Sequence, residues 1–496
     1  MTSYASYAEW AADYSTQKVH AVEMTVARVS DGATLDLFWT DDSSGGAWDG
    51  SHFFEPYIKE IPRLVQKAQK ATGGRSLAAY GNLVLGLVKS GTVDPAGGVT
   101  WNALLSEYAF WGRPITVKVG GPGLDYAKWG VVLAGYMGQP SYNDQQVSVP
   151  VYSKAKAVME TEVPANVYDD AFPDSTQGKV KPVAYGQCKN IRPVLIDEAG
   201  FVYQFHDAAA YGAAQAVDAV YVNGLQVTSG FTVDLAAGTV DFGVDPKGTV
   251  TLDVRGAKPG GTYIHLVGDI LREMLIAMGG VDSSDLDAAA FAAYNAAVPF
   301  TAGIYLSRKM KLARAIDSLV NGLLTIWGPD RRGLWGVRRF TEATGDPNLE
   351  VTDLDILANT FSVKAERRLY WKVAIAGDRN WSVNSNPHEN TPADRVTWLA
   401  EKFREREASS SAVQALYPDT AQEKRMETHL ADLADCATVA GWWLGLFGAR
   451  RRLSLLGSRC RAWSRTWAMW SRSPATPRAL RPAPWPAWCG WRSATA

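Results

Sequence analysis

The 496-residue chain reads as a multidomain α+β protein, with β-rich N-terminal and central modules, sandwich- or barrel-like, followed by mixed helical and β domains. Three observations predict this class. Short runs of β-branched and aromatic residues, punctuated by Gly, Asn, Asp and Pro, fill the first half of the chain. Apolar residues at helical spacing dominate only after about residue 258. A chain of this length, 47% hydrophobic and 20% charged, also exceeds what one core organises, because single cores stop growing at about 250–300 residues.

Residues 1–152 form the first β-rich domain. The β-prone runs 19–29 and 33–39 are parted by Ser30-Asp31-Gly32 in the manner of a hairpin. Runs 114–119, 130–136 and 146–152 continue the pattern, and one short helix is expected between Trp101 and Phe110. Gly120-Gly-Pro-Gly123 lacks the Lys-Ser/Thr of a phosphate-binding loop and is read as a turn. Residues 153–185 are polar and without periodicity, which predicts an extended linker packing largely between neighbouring subunits. Residues 186–257 are read as a small antiparallel module, with strands at 190–196, 201–205, 219–222, 239–242 and 249–254 and turns at Asn223-Gly224, Ala237-Gly238 and 245–248. Residues 258–448 form the α+β region. Ile264, Val267, Ile270, Leu271, Met274 and Leu275 recur at helical spacing before Gly279-Gly280, and residues 312–324 repeat the pattern before Gly328-Pro329. Residues 369–375 return to β, and two further helices are expected over about 393–407 and 420–446.

The net charge of −1 hides an asymmetry. Residues 449–496 hold ten Arg, no Lys and no acidic residue, so removing that +10 leaves −11 on residues 1–448. Such an acidic body is unlike a nucleic-acid binder. The 449–496 segment mixes six Trp with Arg, Pro, Ala and Ser and shows neither a strand nor a helix period. It reads as an aberrant tail, the product of a GC-rich gene in a shifted frame or else disordered, and carries no function. A one-nucleotide shift across residues 466–471 permits Leu-Gly-Asp-Val-Val. No stretch approaches the ~20 apolar residues of a membrane helix, and the first ten residues lack the layout of a secretion signal, so a soluble, cytoplasmically made protein is expected. Cys188, Cys436, Cys460 and Cys489 are too scattered for a zinc site or a disulfide framework and are expected as free thiols.

The six histidines show no metal-ligand spacing, and nucleophile-elbow, Walker and dinucleotide motifs are missing. No catalytic, cofactor-binding or metal-binding residue is therefore assigned. His206-Asp207 is the most tempting pair, but neighbours on a strand point to opposite faces, and a strand-end turn explains it. Glu401/Glu405 and Asp432/Asp435 sit at the spacing of a solvated helix. Tryptophan is abundant, and Trp371, Trp381, Trp442 and Trp443 are the candidate interface residues, the last two because adjacent residues cannot both face one core from a single helix.

A resemblance enters with Lys179-Val-Lys-Pro-Val-Ala-Tyr-Gly-Gln-Cys-Lys-Asn-Ile-Arg-Pro-Val-Leu-Ile196. It resembles the KPxxYGxxxNVxPxLI passage of the tail-tip (baseplate hub) proteins of siphophages and gene-transfer-agent-like particles. Tyr203-Gln-Phe-His-Asp207 is similar to their YQVHD and Ala219-Val-Tyr-Val-Asn-Gly224 to AVYDxG. Upstream, Trp111-Gly-Arg-Pro-Ile-Thr-Val-Lys-Val119 resembles GRPVTIRLG and Gly135-Tyr-Met-Gly-Gln-Pro140 resembles GTMEQP; downstream, Arg379-Asn-Trp-Ser-Val383 resembles RNWTV. The motifs keep their order over most of residues 19–448. The resemblance implies a non-enzymatic virion subunit at the phage tail tip, assembled in the bacterial cytoplasm. It implies contacts with the distal tail or tail tube protein, the tape-measure protein and receptor-binding fibres, and a homo-oligomer, a trimer first and a hexamer second. No membrane, no cofactor and no specific nucleic acid are expected. The family continues through a Leu-Gly-Asp-Val-Val-like strand, from which this chain departs after Arg450. Two other classes compete: a receptor- or carbohydrate-binding tail protein, which would expose a shallow aromatic-lined groove, and a peptidoglycan-degrading tail enzyme, which would converge two acids or hold a metal.

Overall fold

The computed structural model describes residues 3–13, 15–70, 73–87, 92–94, 98–341, 362–365, 369–448, 451–455 and 469–472. The chain divides into two compact units: Met1–Thr341 with Lys372–Ser409 and Glu423–Leu444, and Glu342–Trp371 with Ser410–Gln422 and Gly445–Ala496.

In the first unit, the expected hairpin joins Val19–Arg28 to Thr34–Thr40, with Ala21 opposite Thr40 and Ala27 opposite Thr34. It opens a large antiparallel sheet that runs Thr34–Thr40, Val19–Arg28, Pro114–Gly120, Gly130–Met137, Gln146–Tyr152, Asn82–Gly86, Ile58–Glu60. Alternation sends Ile115, Val117, Val147, Val149 and Val151 inward, as a period-2 pattern demands. Helix Trp101–Glu107, capped by the Thr100 hydroxyl accepting the Ala103 N–H, adds Trp101 and Leu104 to that core. Trp39 and Trp101 stack at 5.3 Å with Tyr57 edge-on to both. The glycine turn after Pro114–Gly120 serves packing, since a Cβ on Gly120 would stand 2.1 Å from the Trp129 ring.

Strand pairing crosses the expected domain boundaries. The hairpin Leu64–Lys70 and Gly73–Tyr80 pairs in parallel with Thr325–Pro329, Ile326 opposite Gly74, and Trp335–Arg339 completes that sheet. Residues 1–152 are thus finished by strands from 258–448. Likewise the 186–257 module is a five-stranded sheet in the order Leu225–Val227, Ala214–Val222, Val250–Ala257, Val183–Ile191, Gly303–Leu306, whose last strand comes from beyond residue 257. A second sheet of Val194–Asp197, Val202–Gln204, Thr239–Asp241 and Thr232–Asp234 stands beside it in sequence. The single strand expected over 190–196 is broken: Asn190 adopts φ 57° and Pro193 has no N–H to donate to a ladder.

The linker reading of 153–185 is also corrected. The segment contains helix Ala155–Glu160 and strand Glu162–Val163, which pairs with Met310–Lys311, and it buries Met159, Val163, Tyr168 and Val180 against its own chain. The Tyr168 hydroxyl donates to Gln204 Oε1 at 2.7 Å and Asn166 Nδ2 to Asp207 Oδ2 at 2.8 Å. Its apolar residues dock singly, so no period betrays them.

Helix Val267–Glu273 runs on as a π-helical turn, Met274–Met278, burying Ile270, Leu271, Met274 and Leu275, and Leu312–Leu319 follows its predicted stripe. The two later helices are shorter than expected. Ala393–Ala400 is helical, but Arg404–Ser409 is a strand; Ala421–Glu427 is a strand before helix Leu433–Phe447. Both strands flank Leu369–Gly377 in one three-stranded sheet. No helix among the described residues is long and apolar enough to cross a membrane.

In the second unit, helix Ser411–Leu416 is capped by Ser410, whose hydroxyl accepts the Val413 N–H, and Tyr370 meets Phe447 edge-on at 5.8 Å. Ser362–Ala365, Arg451–Leu455 and Met469–Arg472 form an antiparallel sheet. The aperiodic tail therefore holds two strands, which a backbone ladder permits without side-chain alternation; the rest of 449–496 lies outside the described residues.

Candidate functional site

A dense polar cluster joins the end of strand Val183–Ile191 to the turn after Leu369–Gly377. Asn190 (φ 57°) and Asp378 (φ 47°) both take the left-handed conformation that Asn and Asp tolerate best among side chains other than Gly. Asn190 Nδ2 donates to Asn380 Oδ1 at 2.8 Å and to the Ser382 carbonyl at 2.6 Å, while Asn380 Nδ2 donates to the Leu399 carbonyl at 2.9 Å. Asp378 accepts from Lys189 Nζ at 2.7 Å, from the Trp398 indole at 2.9 Å and from Arg404 Nε at 3.2 Å. Burial opposes its charge, yet the Lys189 and Trp398 hydrogen bonds and the two nearby cations hold the carboxyl below the usual carboxylate range. Asp253 accepts from the Asn190 N–H at 2.6 Å and the Tyr221 hydroxyl at 2.9 Å, and here burial prevails and pushes the carboxyl up. Apart from Asn190 Oδ1, which has no partner among the described residues, these polar groups bind one another, so the arrangement clamps strands together.

The histidine pair singled out in the sequence is built the same way. His206 is fully buried; its Nδ1 accepts the Ala184 N–H at 3.2 Å and its Nε2 lies 2.9 Å from the Gly212 carbonyl, which makes Nε2 the protonated nitrogen. Burial lowers its pKa. Its neighbour Asp207 turns away to Asn166. His429 stacks on Trp381 at 5.5 Å, and burial, seconded by the Arg379 cation, brings its pKa down to about 3. Among the described residues no group of three or more His, Cys, Asp or Glu could hold a metal ion. Glu405 stands on a strand, not a helix, and pairs with Arg425 at 2.6 Å.

The structure scatters the four candidate interface tryptophans. Trp443 is buried, its indole donating to the Gly322 carbonyl at 2.5 Å, and so leaves the interface set for the core. Trp442, half-buried, stacks on Phe300 at 5.2 Å beneath the Arg339 guanidinium at 4.0 Å. Trp381 is held by His429, by Tyr305 edge-on at 6.0 Å and by Arg379 at 3.7 Å. Trp371, in the second unit, is half-buried and its carbonyl accepts the Ser410 N–H. The rings that do face outward were missed: Trp111 is 69% exposed and lies 6.3 Å from Tyr152, and Tyr152 pairs in register with Tyr136 on the same face of the sheet. Alternation along 146–152 contained the signal, since Val147, Val149 and Val151 inward place Tyr152 outward.

A groove of about 400 Å³ opens on the five-stranded sheet, lined by Gln187, Asp218, Arg255, Tyr263, His265 and Thr301. Gln187 and Arg255 are register partners, and a bulge between Val217 and Ala219 aims Asp218 at Arg255, with both Nε and Nη2 at 2.9 Å. Tyr263 and His265 stack at 5.3 Å, and His265 Nδ1 lies 3.1 Å from the Thr301 hydroxyl. Burial raises the Tyr263 pKa, so its hydroxyl stays protonated.

No family model matches this chain, and no curated protein matches it. Among solved structures it is similar to a chain of the "Virion of native gene transfer agent (GTA) particle", at 14% identity over 48% of this chain and 80% of that one, with a TM-score of 0.19.

Proposed function

We propose that the chain is a non-enzymatic structural subunit of a phage-like virion, placed at the tail tip as a baseplate hub that joins the distal tail tube to lower tail-tip or receptor-binding proteins. The observation that carries the reading is where the tail-tip-like motifs fall. Lys189 and Asn190 of the first passage are bound to Asp378 and Asn380 beside and within the last one, and His206 of the YQVHD-like segment rivets two backbone groups. Residues arranged this way hold strands in place, which is the work of a scaffold. The outward row Trp111, Tyr136 and Tyr152, from the upstream motifs and the strand paired with them, is the surface proposed to contact neighbouring subunits.

A cryo-EM map of the particle's tail end tests the assignment. Three copies around the tail axis are expected; six copies or one would refute the trimer, and finding the chain in the capsid would refute the tail reading altogether. Zymography on cell walls is expected to give no lysis zone, and a zone that disappears on replacing one body carboxylate would make the chain an enzyme.

A further inference from the structure

We infer that the groove over Gln187, Asp218, Arg255, Tyr263, His265 and Thr301 is a binding site for a neutral hexopyranose. The inference rests on the groove alone and stands whether or not the chain belongs to a tail.

Charge selects the ligand class first. Arg255 and Asp218 are the two charged residues of the lining and neutralise one another at 2.9 Å, so an anion would find no unpaired Arg or Lys there and a cation no unpaired carboxylate. The unspent groups are of mixed kind. Among the described residues the Gln187 carboxamide and the Tyr263 hydroxyl have no partner, and His265 engages through Nδ1 and keeps Nε2. Donors and acceptors side by side suit vicinal hydroxyls, each of which gives and takes a hydrogen bond. The stacked Tyr263–His265 pair adds a flat apolar surface for the C–H face of a sugar ring. The volume of about 400 Å³ falls within the roughly 300–1,000 Å³ range of small-ligand sites.

The backbone beneath is pre-set. A Cβ on Gly303 would stand 1.8 Å from the Gln187 carbonyl and one on Gly186 1.9 Å from the Ala302 carbonyl, so these strands meet more closely than any side chain allows. The Gln187 N–H donates to the Ala302 carbonyl at 3.0 Å, and the Ala302 N–H to the His265 carbonyl at 2.9 Å, which ties opposite walls together. The lining groups therefore hold their spacing before a ligand arrives, which lowers the cost of binding.

Saturation-transfer NMR on the full chain with methyl glycosides of glucose, galactose, mannose and N-acetylglucosamine tests this. Transfer to the ring C–H protons of at least one is expected, abolished by Tyr263→Ala, weakened about tenfold by Gln187→Ala, and unchanged by Tyr142→Ala, a change at an exposed ring outside the groove. Should Tyr263→Ala lower the melting temperature, Tyr263→Phe keeps the ring and removes only the hydroxyl, and weaker binding is still expected. Asp218→Asn, which leaves Arg255 unpaired, is expected to bring in binding of inorganic phosphate that the native chain lacks. No transfer from any of the four glycosides, transfer that survives both Tyr263→Phe and Gln187→Ala, or tighter binding of phosphate than of every neutral sugar by the native chain would overturn it.

Discussion

Single residues in this chain act as fasteners, and the clearest is Asn380. Its side chain is 1% exposed and bonds Asn190, the Ser382 N–H and the Leu399 carbonyl. Asn380→Ala would leave these buried groups unpaired, and a loss of about 2–4 kcal/mol is expected; a urea midpoint matching the native chain's would discount the clamp. His429 yields a pH prediction. Its pKa is about 3 in the folded chain and about 6.5 unfolded, so between those values the unfolded chain binds a proton that the folded chain refuses. Stability is complete above pH 6.5 and falls as the pH drops, by up to about 1.4 kcal/mol per pH unit. His206, also lowered by burial, adds to the fall in the same direction. Melting temperatures from pH 7.5 to 4.5 should therefore decline less steeply in His429→Gln than in the native chain, and parallel curves would count against it. The sequence placed His206 and Asp207 at a strand-end turn, and the structure gives them separate partners there, Ala184 and Gly212 for His206 and Asn166 for Asp207. It could not disclose that Asn190 meets Asn380, 190 positions away.

At the scale of elements, backbone approach and local propensity compete. Gly303→Ala puts a methyl 1.8 Å from the Gln187 carbonyl and is expected to cost more than about 3 kcal/mol or to prevent folding. Gly441→Ala, in helix Leu433–Phe447 with nothing within 4 Å, is expected to stabilise by up to about 1 kcal/mol. Thermal melts of the pair compare the two directly, and equal melting temperatures would refute the packing argument. The strands Arg404–Ser409 and Ala421–Glu427 show why helices were expected where none exist. Glu, Arg, Lys, Gln, Met and Ala are helix formers, but both segments flank Leu369–Gly377, and cross-strand pairs such as Lys372 with Glu407 at 2.8 Å suit charged residues on an exposed face. Helix Ala288–Ala297 escaped notice for the opposite reason, since its alanine-rich run has no apolar stripe to stand out. Helices Val267–Glu273 and Leu312–Leu319 were legible because each buries one stripe against one core.

Across the whole molecule, the proposed trimer makes an energetic demand. A permanent ring should bury well over ~2,000 Å² per contact, with aromatic residues near its centre. Mass photometry of the purified chain should show three copies, and Trp111→Ser with Tyr152→Ser should shift it to monomer without lowering the melting temperature of the monomer; an unchanged trimer would move the interface elsewhere. The −11 charge on residues 1–448 means that ring formation should strengthen as salt rises. What the sequence determined by itself is local: the α+β class, the alternating strands of the large sheet, the two striped helices, and the turns at glycine. Each follows from contacts within a few residues, where period and turn chemistry act directly. What only the tertiary structure decided is which distant strands finish which sheet, which tryptophans are roofed and which stay bare, and that Gln187, Asp218, Tyr263 and Thr301 share one groove. Those outcomes depend on pairing and burial between segments far apart in the chain, and no local pattern encodes the partner.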